Sequence, residues 1–213
     1  MDLEKFKKTW INQPENSEKL SKVDIYRLTQ SKSSSIVKWI LIIGILELIF
    51  WTSINFITPK SFMEIYKDFN MIGFLNAYTI LHYLIIIAFL ILFYKNYSSI
   101  SIIDSTKVLM KKILKVRKTV KYYVYYNLAG LVITNIIITS VFLSKPDTLM
   151  KALNPNGVSV EITTVLSVFL IATIVLVLII FLILWLFYKF TYGKLLKKLN
   201  INYLELDKLE KLN

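Results

Sequence analysis

Apolar residues gather along this chain into four long stretches, separated by segments rich in lysine, tyrosine and small polar residues. A bilayer core about 30 Å thick is crossed by about 20 helical residues. Four stretches meet that length: 36–57, 73–94, 123–143 and 163–188. The last would measure roughly 39 Å at about 1.5 Å per residue, so it must tilt or project beyond the hydrocarbon. Lipid offers no partner to an unpaired backbone amide, which predicts a helix for each stretch. The expected fold is all-α, an integral-membrane four-helix bundle. Spans two, three and four continue into the cytoplasm as amphipathic helices.

Periodicity persists outside the spans. Residues 3–13 predict a short amphipathic helix with Leu3, Phe6 and Trp10 on one face, lysines on the other and Pro14 just past its end. Such a helix suits either the membrane interface or the groove of a partner. Ser21 followed by Asp24 resembles a capping box opening a second helix, with Ile25 and Leu28 on one side. In the long loop, Leu109, Ile113, Val116, Val120 and Tyr123 recur at alternating intervals of four and three. Leu195, Leu199, Asn202, Leu206 and Leu209 repeat that spacing in the tail. Neither segment contains proline, so each can extend its neighbouring span. The two seams align as an antiparallel pair, with Leu195 opposite Val120, Leu199 opposite Val116, Asn202 opposite Ile113 and Leu206 opposite Leu109. Glu205, Asp207 and Glu210 are then expected near Lys107, Lys111 and Lys112. Segments 58–72 and 144–162 read as short connectors. The chain therefore divides into an N-terminal segment 1–35, a bundle 36–188 enclosing the loop 95–122, and a tail 189–213.

Charge adds orientation. Of 26 basic residues, 22 fall in the segment up to Lys38, the loop 95–122 and the tail. The other two loops hold only Lys60, Lys67, Lys145 and Lys151, matched by Glu64, Asp68, Asp147 and Glu161. The positive-inside rule then places both termini in the cytoplasm of a bacterial inner membrane, with 36–57 as an uncleaved signal anchor. Lys107, Lys111, Lys112, Lys115, Arg117 and Lys118 form the densest basic surface. Attraction to anionic headgroups, about 1 kcal/mol per juxtamembrane basic residue, accounts for a net charge of +12 more simply than nucleic acid does. The expected partners are anionic headgroups of the bilayer, a cytoplasmic protein and a second copy of the chain. Aromatic belts are expected at Trp39 and Trp51, Tyr94 and Tyr97, Tyr122–Tyr126, and Trp185, Tyr188 and Tyr192. A hydrophobic share of 55% with no cysteine excludes a soluble single-core domain, a disordered chain and a disulfide-stapled domain.

The chemistry is sparse. There is no glycine-rich phosphate loop, no GxSxG and no HExxH, and a single histidine with no cysteine leaves little for a metal. No catalytic residue, metal or cofactor is expected. Glu47, His82 and Asn135 fall at similar depth in three spans and form a candidate intramembrane polar cluster. A Glu47–His82 contact would be a hydrogen-bonded strut, worth about 0.6 kcal/mol in typical cases, or a relay for protons or a small cation. Interrupted helices mark transport sites, and these spans are uninterrupted, which favours the strut. The residues thus point to a non-enzymatic regulator or scaffold with a basic cytoplasmic face. The alternatives are a small proton- or cation-coupled transporter or channel using Glu47 and His82, and an accessory subunit of a larger membrane complex.

The segments LEKFKKTWINQ, SKSSSIVKWI, DSTKVLMKKILKVRKTVKYYVYYN and LLKKLNINYLELDKLEKL resemble a group of small four-span membrane proteins of Bacteroidota. That resemblance implies architecture rather than activity. Members are often labelled beta-carotene monooxygenases, an activity that holds iron through four histidines on a soluble propeller; with His82 alone, the chain does not carry it. Leu3, Trp10 and Gln13 are also similar to the starts of small membrane proteins encoded beside sigma factors, which implies an anti-sigma-like regulator.

Overall fold

A computed structural model describes residues 22–100, 105–154 and 158–211. The helix predicted around Leu3, Phe6 and Trp10 lies outside them. The described residues form only helices and their connections: α1 Lys22–Ile57, α2 Lys60–Asp68, α3 Ile72–Ser98, α4 Thr106–Leu143, α5 Pro146–Leu153 and α6 Ile162–Tyr188. A π-helical turn, Lys189–Gly193, joins α6 to α7 Lys194–Lys211. Four of these stretches are long and apolar enough to cross a membrane, the last running without a break from Ile162 to Lys211. Their outward faces are crowded with exposed Ile, Leu, Val and Phe. That is the surface a helix presents to lipid, and the chain reads as a multi-pass membrane protein.

The predicted seams pack together. Leu109, Ile113, Val116, Val120 and Tyr123 of α4 are all buried, and they share one core with Leu199 and Leu206 of α7. The Tyr123 and Tyr192 rings lie 5.8 Å apart. That contact falls three residues past Val120 on α4 and three before Leu195 on the tail side, where the antiparallel register puts it.

Two expectations need correction at this end. The described part of the N-terminal segment and the first span are one helix, α1, 36 residues long, and its first half packs with α4 and α7 as the third member of a helical stalk beyond the apolar stretches. Its inward positions are Thr29, Gln30, Ser33, Val37 and Ile40, while Leu28, expected on the packed side, is 46% exposed. Thr29 Oγ1 donates to Glu205 Oε2 (3.2 Å), and Asn202 Nδ2 donates to Ser33 Oγ (2.9 Å). Glu205 therefore turns to α1, and Asp207 pairs with Lys211 at 2.7 Å within α7. Neither neutralises Lys107 or Lys111 as the tail alignment suggested.

At the opposite end, the segments read as connectors each contain a helix, α2 and α5. Pro59 ends α1, because the residue before a proline is pushed out of the helical region. Asn70 closes α2 in the left-handed region at φ 59°, which asparagine tolerates better than most side chains. Met71 N–H then bonds Tyr66 O and Asn70 N–H bonds Lys67 O, each at 2.9 Å, the doubled closure typical of a helix end. Pro146 opens α5 where its missing N–H costs nothing. Phe69, Met71, Phe142 and Leu149 form a second small core, with the Phe69 and Phe142 rings stacked 4.1 Å apart. Helices of eight and nine residues are too short for periodicity to separate them from loops.

Between the two ends, α1 and α3 meet at Gly44. A Cβ built there would lie 2.9 Å from Leu90 Cδ2, so the two helices approach closely here.

Candidate functional site

Beyond Gly44 a cleft of about 320 Å³ opens between α1, α3 and α4. Helix α1 contributes Glu47, Trp51 and Asn55, spaced four apart and hence on one face. Helix α3 contributes Tyr78, His82 and Tyr83, and α4 contributes Tyr123 and Asn127, again four apart. Glu47 stands at the end nearer the stalk. The cleft follows α1 from there to Asn55, about 12 Å along the helix at 1.5 Å per residue.

Glu47 is the buried polar centre, only 7% exposed. Tyr188 Oη donates to Oε1 at 2.6 Å and Tyr192 Oη donates to Oε2 at 3.2 Å. A carboxyl in this setting needs such donors, since an unpaired polar group in an apolar interior costs several kcal/mol. The aromatic belt expected around Tyr123, Tyr188 and Tyr192 is therefore corrected. All three are buried, and they form an interior cluster around Glu47, with Tyr123–Tyr188 centroids at 6.4 Å. Trp185 does face outward, with the Lys189 ammonium 4.7 Å from its ring.

The expected Glu47–His82 contact is absent among the described residues. His82 Nδ1 pairs with Tyr126 Oη at 3.2 Å, and its ring lies in a stack between Tyr78 (5.9 Å) and Tyr126 (5.7 Å). The depth of the two residues differs as well. Glu47 lies level with Tyr123, whose ring meets Phe89 of α3 at 5.4 Å. His82 is seven residues from Phe89, about 10 Å along the helix. The two residues share the wall of one cleft without touching.

Asn135 joins neither. Its Nδ2 donates to Leu131 O of its own helix at 2.9 Å, and it borders a separate groove between α4 and α6. It lies eight residues beyond Asn127, and at about 100° per residue that turns it about 80° away from the cleft. Sequence reasoning missed Tyr188, Tyr192, Asn55 and Tyr83, the last two joined by a 2.8 Å bond from Asn55 Nδ2 to Tyr83 Oη. The available signal was the four-residue spacing of Tyr188 and Tyr192 beside a lone intramembrane carboxyl.

The basic surface lies on the stalk. Lys107, Lys111, Lys115 and Lys118 are exposed, and Lys112 and Arg117 are half-buried. Lys112 Nζ donates to Ser99 O, tying the start of α4 to the end of α3. Lys118 sits 5.6 Å over the Tyr122 ring. No group of three or more metal-ligating side chains comes together among the described residues.

No curated protein and no solved structure matches the chain. A domain of unknown function, DUF8845, matches residues 23–211, which takes in every helix of the bundle and stalk, and the chain belongs to that family.

Proposed function

We propose that this is a non-enzymatic protein of a bacterial inner membrane, a scaffold or regulator. Its stalk stands in the cytoplasm and offers its lysines to an acidic surface on a partner protein. The observation that carries this reading is the height of those lysines. Helix α4 is continuous with a membrane-crossing stretch, so Lys111 and Lys107 lie roughly 16 and 22 Å beyond Tyr122 at about 1.5 Å per residue. Headgroup charge is screened over about 8 Å at physiological ionic strength. Lysines at the root, such as Lys118 and Lys121, lie within that range; Lys107 and Lys111 lie outside it. A buried three-helix core holds the stalk upright, and Glu205 and Asp207 of the tail are engaged elsewhere. The test is a photo-cross-linking residue in place of Lys107 in the intact chain, in cells. One discrete protein adduct, lost on Lys111→Glu with Lys115→Glu, is the expected outcome. Only lipid or self adducts would remove the reading.

The cleft favours a second reading, a proton- or cation-coupled pathway through Glu47 and His82. Against it stand the unbroken helices and the tyrosine hydroxyls that hold each residue apart. Proteoliposomes carrying Glu47→Gln with His82→Asn separate the two readings. The scaffold reading expects a folded protein with proton and cation flux unchanged, and a selective loss of flux would promote the pathway.

A further inference from the structure

We infer that the cleft between α1, α3 and α4 is a binding site for a monovalent organic cation, an ammonium head on an apolar body. Three features lead there. Glu47 is the only residue of the lining with a carboxyl, and no lysine or arginine lines the cleft with it. A single positive charge is therefore what the lining complements, and a divalent ion would find neither the charge nor the oxygen ligands it needs. Second, the walls are aromatic. Trp51, Tyr78, Tyr83 and Tyr123 border the same space, and the face of such a ring attracts a cation, most strongly where water is excluded. Third, the carboxyl is held in place. Tyr188 and Tyr192 each donate to one of its oxygens, and the Tyr123 hydroxyl and Trp51 N–H also lie toward it, so a ligand's charge would meet a carboxyl already oriented at the end of the cleft.

The dimensions set the size of the ligand. A cleft of about 320 Å³ is at the small end of ligand pockets, about 300–1,000 Å³, and suits a body of one ring. The lining also carries orienting groups along its length: Glu47 at one end, and Asn55 bonded to Tyr83 toward the other. The neighbouring groove on the far side of α1 differs in kind. It is bordered by Ile43, Phe50, Ile183 and Phe187, shares Glu47, Trp51 and Ile54 with the cleft, and presents the surface an acyl chain covers. Cation recognition belongs to the aromatic cleft and not to this groove. The inference goes beyond the scaffold reading and needs no transport. The assay leaves the stalk lysines untouched, so its failure and the failure of partner docking are separate results.

The probe is radiolabelled benzyltrimethylammonium, in equilibrium dialysis against the full chain in nanodiscs, with empty nanodiscs as the blank. Saturable binding at high-micromolar to millimolar concentration is expected, with neopentylbenzene, the neutral isostere, failing to compete. Glu47→Gln keeps an acceptor for one tyrosine, can donate its amide N–H to the hydroxyl of the other, and should weaken binding about tenfold or more, while Trp51→Leu should weaken it about fivefold. Ile183→Ala, in the outer groove, should leave it unchanged. Should Glu47→Gln fail to fold, the isostere competition and Trp51→Leu decide the matter. Absence of saturable binding at millimolar probe, equal competition by the neutral isostere, or full binding by the folded Glu47→Gln variant would each overturn the assignment.

Discussion

Asn202 Nδ2 donates a hydrogen bond to Ser33 Oγ across 2.9 Å, joining residues 169 positions apart in the chain inside the stalk. Ser33 Oγ in turn donates to Thr29 O at 2.7 Å, so the polar pair is closed and neither partner depends on water. Asn202→Ala should lower stability by about 1 kcal/mol, the net worth of an ordinary hydrogen bond. Leu199→Ala, at a fully buried neighbour, should cost about 2–5 kcal/mol. Thermal unfolding in one detergent compares them, and an equal cost for both would mean that the stalk core is not packed as described.

The antiparallel register of α4 and α7 can be tested covalently because the chain has no cysteine of its own. Val116→Cys with Leu199→Cys should cross-link within one chain. Leu199→Asp with Leu206→Asp should abolish a link between cysteines at 120 and 195. Cross-links mainly between chains would mean that the seams build a dimer.

Gly44 makes a graded prediction. Gly44→Ala asks only the far end of Leu90 to move, and it gains about 1 kcal/mol of helix propensity, so it should be near neutral. Gly44→Leu has no such escape and should cost about 1–3 kcal/mol through overpacking. Melting of both variants in detergent settles it, and a harmless leucine would show that the α1–α3 crossing is loose.

The Glu47 cluster should respond in steps. Tyr188→Phe alone leaves Tyr192 as donor and should cost about 0.6 kcal/mol, the mean for interhelical hydrogen bonds in membranes. Tyr188→Phe with Tyr192→Phe removes the two hydroxyls that bond the buried carboxyl directly and should cost about 1–3 kcal/mol. Restoring stability to the double variant with Glu47→Leu would confirm that the unpaired carboxyl is the cause; no recovery would assign the loss to packing.

Topology has its own measurement. A reporter active only in the periplasm, fused after Asn213, should stay silent, and strong activity would reverse the charge-based orientation.

The membrane-crossing stretches and the α4–α7 seam were legible because long apolar runs and a sustained four-three spacing leave few alternatives. Val116 and Leu199 were placed in the core by spacing alone. The inward face of α1 was not, because Thr29, Gln30 and Ser33 are buried there while Leu28 is exposed, the reverse of what an apolar stripe predicts. Partners of Glu47 were hidden for a related reason. Tyrosine near the end of a span is expected at the interface, and only the return of the tail beside α1 brings Tyr188 and Tyr192 inward. His82 was misplaced in depth because residue counting assumes that spans start level, and these helices do not.

The π-helical turn at Lys189–Gly193 fixes an angle. A π turn carries one residue more than an α turn, so every position after it is rotated by about 100° relative to an unbroken α-helix. The tail's inward face is therefore set by this turn as much as by its own sequence. Deleting one residue between 189 and 193 would relax the π turn to an α turn and leave Leu199 and Leu206 on the seam, whereas deleting two would swing them off it by about 100°. Deleting four would restore the angle to within about 60° and draw the tail about 5 Å toward the bilayer. The turn works as a clutch plate between the two ends: it takes up one residue of slack and holds them in one phase.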